Sequence, residues 1–192
     1  SNNQLIGIEE KPNKPKSNLA VTGIYFFKNK ILKEINKISF SERGELEITD
    51  AIDNLLENGF VQGFKLKGWW VDTGERNQIL EANSFIMKEI INGGYSNLYE
   101  NYERKNNYLI GVNSKLKNIK VNGYAIIGDD VILNSTTLNN NVSISSNSNI
   151  SNSSISNSII LEQNYFDEFE IINSIMGTKY KKCVNKKIKD II

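Results

Sequence analysis

The sequence contains no histidine and a single cysteine, Cys183. Without histidine there is no Ser-His-Asp triad, no imidazole general base and no histidine metal ligand. With one cysteine as well, a zinc site of nitrogen and sulfur ligands is excluded, and any metal would rest on oxygen ligands, which favours Mg²⁺ or a similar hard cation. The lone thiol has no internal partner, which points to a reducing compartment and a cytoplasmic location. Excess charge is also lacking: 23 Lys and Arg stand against 22 Asp and Glu, a net charge of +1. That balance offers no general attraction for nucleic acid or an anionic membrane. No apolar run approaches the roughly 18 residues of a membrane span, and the polar start Ser1-Asn2-Asn3-Gln4 lacks the layout of a signal peptide. What remains is 192 residues, 39% hydrophobic and 23% charged, sufficient for one or two domains with a buried core.

Residues 1–93 read as mixed α/β. Leu19 to Phe27 is rich in β-branched and aromatic residues and predicts a strand, with Val21 and Ile24 in the core. Gly23 within it suggests a close approach to the backbone. Thr49 to Asn58 predicts a helix, with Thr49 as N-cap, Asp50 and Asp53 in the positive first turn, and Gly59 after the last turn. Phe60 to Val71 returns to strand character. Arg76 to Asn92 is the clearest helix, because Ile79, Ala82, Ile86, Met87 and Ile90 recur at helical spacing and Gly93-Gly94 ends it. A polar linker follows over residues 94–107.

Residues 134–158 are dominated by Ser and Asn, a composition that often means disorder. The aliphatic residues argue against it. Ile127, Leu133, Leu138, Ile144, Ile150, Ile155 and Ile160 fall five or six residues apart. A short period carried by one apolar residue, with small polar residues between, is the pattern of a hexapeptide β-helix. Each flat face contributes an inward aliphatic side chain, and each corner needs a short residue that tolerates a left-handed backbone, as Asn does. Three or four coils fit between Leu109 and Gly177. The expected layout is a β-helix over residues 108–178 and a basic tail over 179–192.

Four short segments of the first region carry candidate chemistry. Glu9-Glu10-Lys11-Pro12 follows an apolar stretch; it suits a solvated turn, but Lys11 can also hold a phosphate as a point charge and Glu10 can accept sugar hydroxyl protons. Val21 to Tyr25 lies within the predicted strand. Ser41 to Asp50 includes Arg43 beside Gly44, and a guanidinium offers a planar fork of donors to phosphate. Trp69 to Gly74 places Asp72 after an apolar stretch and before a glycine. That is a common turn former, and it is also how α/β enzymes present a metal-binding carboxylate.

Together these segments resemble the glucose-1-phosphate thymidylyltransferases, a family of sugar-1-phosphate nucleotidylyltransferases. The residues concerned are Glu-Glu-Lys-Pro at 9–12, Ser-Asn-Leu-Ala-Val-Thr-Gly-Ile-Tyr-Phe at 17–26, Ser-Glu-Arg-Gly-Glu-Leu-Glu-Ile-Thr-Asp at 41–50 and Trp-Val-Asp-Thr-Gly at 70–74. The resemblance covers about Leu5 to Asn83, and the β-helix resembles the tail of longer members. It implies part of a Rossmann-like α/β nucleotidyltransferase domain followed by a left-handed parallel β-helix. It further implies that Glu10 and Lys11 bind the glucose hydroxyls and the sugar phosphate, that Val21 touches the sugar through its backbone, and that Tyr25 lines the pocket. Arg43 and Asp72 would be the catalytic groups, Arg43 on phosphate and Asp72 on Mg²⁺, with Glu45 and Trp70 supporting or walling the site. The implied partners are glucose 1-phosphate and a nucleoside triphosphate, with dTTP favoured over the uridine nucleotide, and neither nucleic acid nor membrane.

The family's Gly-Gly-x-Gly-Thr-Arg-Leu signature, which holds the nucleoside triphosphate, does not occur here. The expectation is therefore a fragment, a truncated product or one piece of a split enzyme, inactive alone. Two other readings are a non-catalytic assembly or sugar-phosphate-binding module, and a hexapeptide acyltransferase. The open coil ends and neutral outer faces predict a homo-oligomer formed through the β-helix.

Overall fold

The computed structural model describes residues 5–59, 61–179 and 186–191. It divides into two compact units, one up to Trp70 and one from Val71.

The first unit is built around two helices, α1 (Ile31–Ile35) and α2 (Ile48–Leu56). Ile31, Ala51 and Leu55 form its small core, with Ile38, Ile48 and Val61 packed against it. The N-cap of α2 is Glu47, in extended conformation, and Thr49 lies inside the first turn instead of capping it. Gly59 follows the helix at φ +71 and donates its N–H to Leu56 O at 2.8 Å, as its position predicted. An isolated antiparallel bridge joins Phe40 to Leu46.

The strands expected at Leu19–Phe27 and over 61–71 do not form, and Phe60 lies outside the described residues. Both stretches lack a strand ladder, and each contains a glycine at positive φ, Gly23 at +78 and Gly68 at +109. Composition rich in β-branched and aromatic residues sets the backbone region, but a ladder also needs a second segment in register, which composition does not supply. Val21 and Ile24 are accordingly exposed and not core. Gly23 takes φ +78, a conformation that glycine adopts without strain, and a side chain there would meet no atom of the described residues within 4 Å.

The second unit is a left-handed parallel β-helix of about four coils, carrying helix α3 (Arg76–Ile91). Its three faces stack in register. On the first, Ile110, Ile127, Ile144, Ile160 and Met176 pair from coil to coil. On the second, Leu116, Leu133, Ile150 and Phe166 do so. On the third, the row is Val121, Leu138, Ile155, Ile171 and Ile188. Partners lie 16 or 17 residues apart, as Ile110 and Ile127 or Ile144 and Ile160 show. All seven aliphatic residues singled out by their period are buried. The third face continues through Lys186–Lys189, beyond the expected end at residue 178. The rest of the expected basic tail, with Cys183, lies outside the described residues apart from Lys179, Asp190 and Ile191.

The Ser and Asn content makes the corners. Asn113, Asp130, Asn147, Gln163 and Lys179 stack as one column of left-handed residues; Asn118, Ser135, Asn152 and Glu168 form a second; Gly123, Asn140, Asn157, Asn173 and Asp190 form a third. Every one has positive φ, where Asn and Asp strain least after glycine. Their amides bond to the preceding coil, for example Asn147 N–H to Asp129 O and Asn152 N–H to Asn134 O, both 2.9 Å. Inward serines close the remaining gaps. Ser158, fully buried, donates its hydroxyl to Ser156 O at 2.7 Å and accepts the N–H of Ser174 from the next coil at 3.1 Å. Ser153 does the same for Phe169 N–H at 3.0 Å.

Open edges of a parallel stack invite further pairing. Here Glu103–Arg104 runs antiparallel to Tyr108–Ile110 and covers the first edge on that face. The other two starting strands carry Lys115, Lys117 and Lys120, and the last described strand carries Lys186, Lys187 and Lys189. Between Val121 and Thr178 there is no lysine or arginine. Basic residues are thus confined to the two ends of the stack, where like charge opposes end-to-end growth.

Ser158→Ala should lower the unfolding free energy by roughly 1–3 kcal/mol, because the buried N–H of Ser174 loses its acceptor. Ser151→Ala, on the outer side, should stay within about 0.5 kcal/mol. Denaturant unfolding followed by circular dichroism distinguishes them, and equal effects would contradict the inward role of Ser158.

Candidate functional site

The first unit brings three of its candidate residues into one cluster. Arg43 sits in the loop between Phe40 and Leu46, where Ser41 accepts its N–H at 3.2 Å and Gly44 turns at φ +75. Its guanidinium reaches Glu10 Oε1 at 3.3 Å, Glu45 Oε2 at 2.8 Å and Glu47 Oε1 at 3.4 Å. Glu47, the N-cap residue of α2, is 7% exposed and also accepts the Ser41 hydroxyl at 2.9 Å. The second oxygen of Glu10 accepts the Thr49 hydroxyl at 3.5 Å. Glu10 is therefore tethered from two elements, the Arg43 loop and the first turn of α2.

Tyr25 belongs to the same neighbourhood. Its ring stacks on Phe27 at 5.6 Å. Burial, and then the negative charge of Glu10, raise its phenol above the ordinary value of 10.0. Trp70 donates its indole N–H to Thr22 O at 3.2 Å, which ties the segment holding Val21 to the segment ending in Trp70. Val21 is half exposed, and its neighbour Thr22 is held through its carbonyl by the Trp70 indole. Lys11 is exposed and adopts φ +37, and no ion pair involving it occurs among the described residues. The neighbouring cation Lys16 pairs instead with Glu9, which holds its ammonium group in the charged form.

Asp72 lies in the second unit. Its Oδ1 accepts the N–H of Gly74 at 3.0 Å, so it makes the turn that its sequence context allows. A side chain on Gly74 would come to 3.4 Å of that oxygen. Glu75 N–H then donates to Gln78 Oε1 at 2.9 Å, and α3 begins. Asp72 is exposed, and no group of three or more metal-binding side chains occurs among the described residues. One protein carboxylate still fits Mg²⁺, which keeps several waters and is commonly held by one or two carboxylates with substrate phosphates.

Helix α3 is fixed to the solenoid. Met87, Ile90 and Ile91 pack with Leu109, and Tyr99, Tyr102, Tyr124 and Ile126 close around them. Further along, Ser143 donates to Asn83 Oδ1 at 2.6 Å and Asn141 donates to the Ser84 hydroxyl at 2.7 Å. Arg104 caps the C-terminus through the carbonyls of Ile90 and Ile91, at 3.2 and 2.7 Å. The buried stripe is Leu80, Met87, Ile90 and Ile91, and the predicted Ile86 is exposed. The helix has two apolar stripes, and the one used includes Asn83 and Ser84, whose partners are the polar outer row of the solenoid.

Sequence reasoning missed Glu47 and the tether it makes with Arg43 and Ser41. The signal was present as Glu47 four residues after Arg43 and directly before an amphipathic helix, a position where a carboxylate meets the positive helix end.

Residues 1–89 match the family model described as Nucleotidyl transferase. The chain is 49% identical over 88 residues to the Bifunctional protein GlmU of Methanocaldococcus jannaschii, covering 46% of this chain and 22% of that protein. It is 36% identical over 126 residues to the Glucose-1-phosphate thymidylyltransferase of Streptomyces antibioticus, covering 65% and 35%. It is 34% identical over 116 residues to the Bifunctional sugar-1-phosphate nucleotidylyltransferase/acetyltransferase of Sulfurisphaera tokodaii, covering 60% and 29%. The matched stretch thus spans between about a fifth and about a third of the length of these relatives.

The link between Tyr25 and Glu10 is measurable. Because the folded-state value of Tyr25 is raised, its contribution to stability is present below the unfolded phenol value and is lost as pH rises through the folded one. Glu10→Gln should move the Tyr25 titration downward in site-resolved NMR, and an unmoved titration would place Glu10 away from the ring. With this geometry and these matches, the chain joins a segment that matches the Nucleotidyl transferase family model to a parallel β-solenoid, and it is similar to proteins named as sugar-1-phosphate nucleotidyltransferases.

Proposed function

We propose that residues 5–70 bind the sugar-phosphate partner of a nucleotidyl transfer reaction, glucose 1-phosphate by the motif resemblance. The observation that carries this reading is the pair at 10 and 11: a tethered carboxylate, Glu10, directly followed by an exposed lysine outside any described ion pair. Glu10 accepts hydrogen bonds from sugar hydroxyls, and the Lys11 ammonium group holds the phosphate. Val21 offers backbone groups to the sugar, and Tyr25 gives the ring a wall against Glu10. Trp70 supports this wall through Thr22.

In the reaction, a sugar phosphate oxygen attacks the α-phosphorus of a nucleoside triphosphate in line and pyrophosphate leaves. The protein aligns two anions and neutralises charge. Mg²⁺, when bound, supplies part of that neutralisation, and Asp72 is the residue that would hold it. Thymidylyl transfer is the favoured form, supported by the motifs at 17–26 and 41–50 and by a thymidylyltransferase relative whose match covers 65% of the chain. The sequence has no Gly-Gly-x-Gly-Thr-Arg-Leu segment, so the chain alone should bind dTTP with Mg²⁺ no tighter than millimolar.

The solenoid carries a second reading, because one relative bears acetyltransferase in its name. The absence of histidine speaks against it, and no turnover of acetyl-coenzyme A on a sugar phosphate is expected. Self-association through the solenoid would use the lateral faces, since the described ends are covered or basic. Light scattering reads it directly, and a single-chain mass contradicts it.

Supplied with the glycine-rich nucleotide-binding segment of a relative, Asp72→Asn should lower nucleotidyl transfer about a hundredfold, on the order of 3 kcal/mol. Lys11→Ala should instead raise the apparent KM for glucose 1-phosphate more than it lowers kcat. Near-normal turnover of Asp72→Asn would leave Asp72 as a turn residue alone.

A further inference from the structure

The first coil ends the stack with three strand edges, and only one of them is covered. Glu103–Arg104 lies antiparallel along Tyr108–Ile110, whereas Lys115–Lys117 and Lys120–Asn122 are paired on one side alone among the described residues. Burial follows the same division. Ile110, under the covered edge, is buried, but Leu116 and Val121, which head the other two inward rows, are only partly buried. Along Lys115–Lys117 the backbone is poised to pair. Lys115 donates its N–H to Val131 O at 2.8 Å and Lys117 accepts the N–H of Ser135 at 2.9 Å, both on the side of the second coil. Backbone groups alternate sides along a strand, so the N–H and C=O of Leu116 are directed away from the stack. Side chains alternate too: Leu116 points inward above Leu133, and Lys115 and Lys117 point outward. Both lysines are exposed, and no ion pair involving them occurs among the described residues.

We propose that the edge of Lys115–Lys117 docks an extended acidic peptide segment as an added antiparallel strand, with an apolar residue opposite Leu116 and an Asp or Glu on each side of it. In that register one residue of the partner exchanges both hydrogen bonds with Leu116 and places its side chain over the end of the inward row. Its two neighbours then stand beside Lys115 and Lys117 on the outer face, where opposite charges attract. Glu103–Arg104 shows the same mode of cover on the adjacent face of this coil. Lysines on an edge oppose pairing with a basic strand, and the strand at the other described end of the solenoid carries Lys186, Lys187 and Lys189, so a second copy stacked end to end is not the occupant. Lys120–Asn122 suits the acidic partner less well, because it has one lysine and its Asn122 amide is engaged with Asn139 at 3.0 Å.

The test uses the whole chain, amide NMR at low ionic strength and three capped peptides: Thr-Glu-Val-Glu-Thr, its shuffled form Glu-Glu-Thr-Val-Thr, and Thr-Lys-Val-Lys-Thr. The first should shift the amides of residues 114–118 and slow hydrogen exchange at the Leu116 N–H. The shuffled peptide should bind at least about threefold more weakly and the lysine peptide at least about tenfold more weakly. The double variant Lys115→Glu, Lys117→Glu should reverse the order of the glutamate and lysine peptides. If that variant loses its dispersed amide spectrum, Lys115→Gln with Lys117→Gln replaces it and should bring the two peptides within about twofold of each other. Equal binding of the ordered and shuffled peptides, or the same shifts at equal affinity with inorganic tripolyphosphate, would overturn the proposal in favour of bare charge attraction. Shifts away from residues 114–118, or none at millimolar peptide, would overturn it outright.

Discussion

Each coil of the solenoid turns three times through a left-handed backbone, and each turn aims an amide at a neighbouring coil. Everything in the second unit depends on meeting that condition. A buried N–H without an acceptor costs as much as a substantial fraction of a small domain's stability. The chain meets it with Asn, Asp and Ser at the corners and with inward serines that donate to their own coil and accept from the next. The aliphatic rows then fill the interior. Apolar burial supplies the drive, but the corners decide that the product is a stack of coils and not a collapsed globule.

The stack in turn gives α3 a flat surface. Apolar contacts at Met87, Ile90 and Ile91 and the polar pairs at Asn83 and Ser84 fix its face, and Arg104 closes its last turn. Asp72 stands just ahead of this helix, in a turn closed by Gly74. The candidate metal carboxylate is thus attached to the solenoid unit through a short and well-braced connection.

Much of this was legible in the sequence because it is local or periodic. The five- and six-residue spacing of Ile127 to Ile160 identified the inward rows, and Asn at the intervals identified the corners. The limits of α2 and α3 came within a residue or two from their glycines. What was not legible depends on distant partners. Leu19 to Phe27 has the composition of a strand, but a ladder needs a neighbour in register, and Val21, Ile24 and Phe26 are exposed. The buried stripe of α3 was chosen by Asn141 and Ser143, some sixty residues away. Thr49 suited an N-cap, yet Glu47 took that place because it also meets Arg43 and Ser41. The motif at 41–50 marked the right segment, while the charge around Arg43 emerged only once Glu10 was brought across 33 residues.

Recognition of a sugar phosphate by residues of the first unit is the proposal on which the functional reading rests. Backbone NMR of the chain during titration with glucose 1-phosphate tests it most directly. Shifts should concentrate at Glu10, Lys11, the Val21 to Tyr25 segment and the Arg43 loop, with the solenoid corners such as Asn147 and Gln163 unmoved. Shifts confined to the solenoid, or none at saturating ligand, would contradict it.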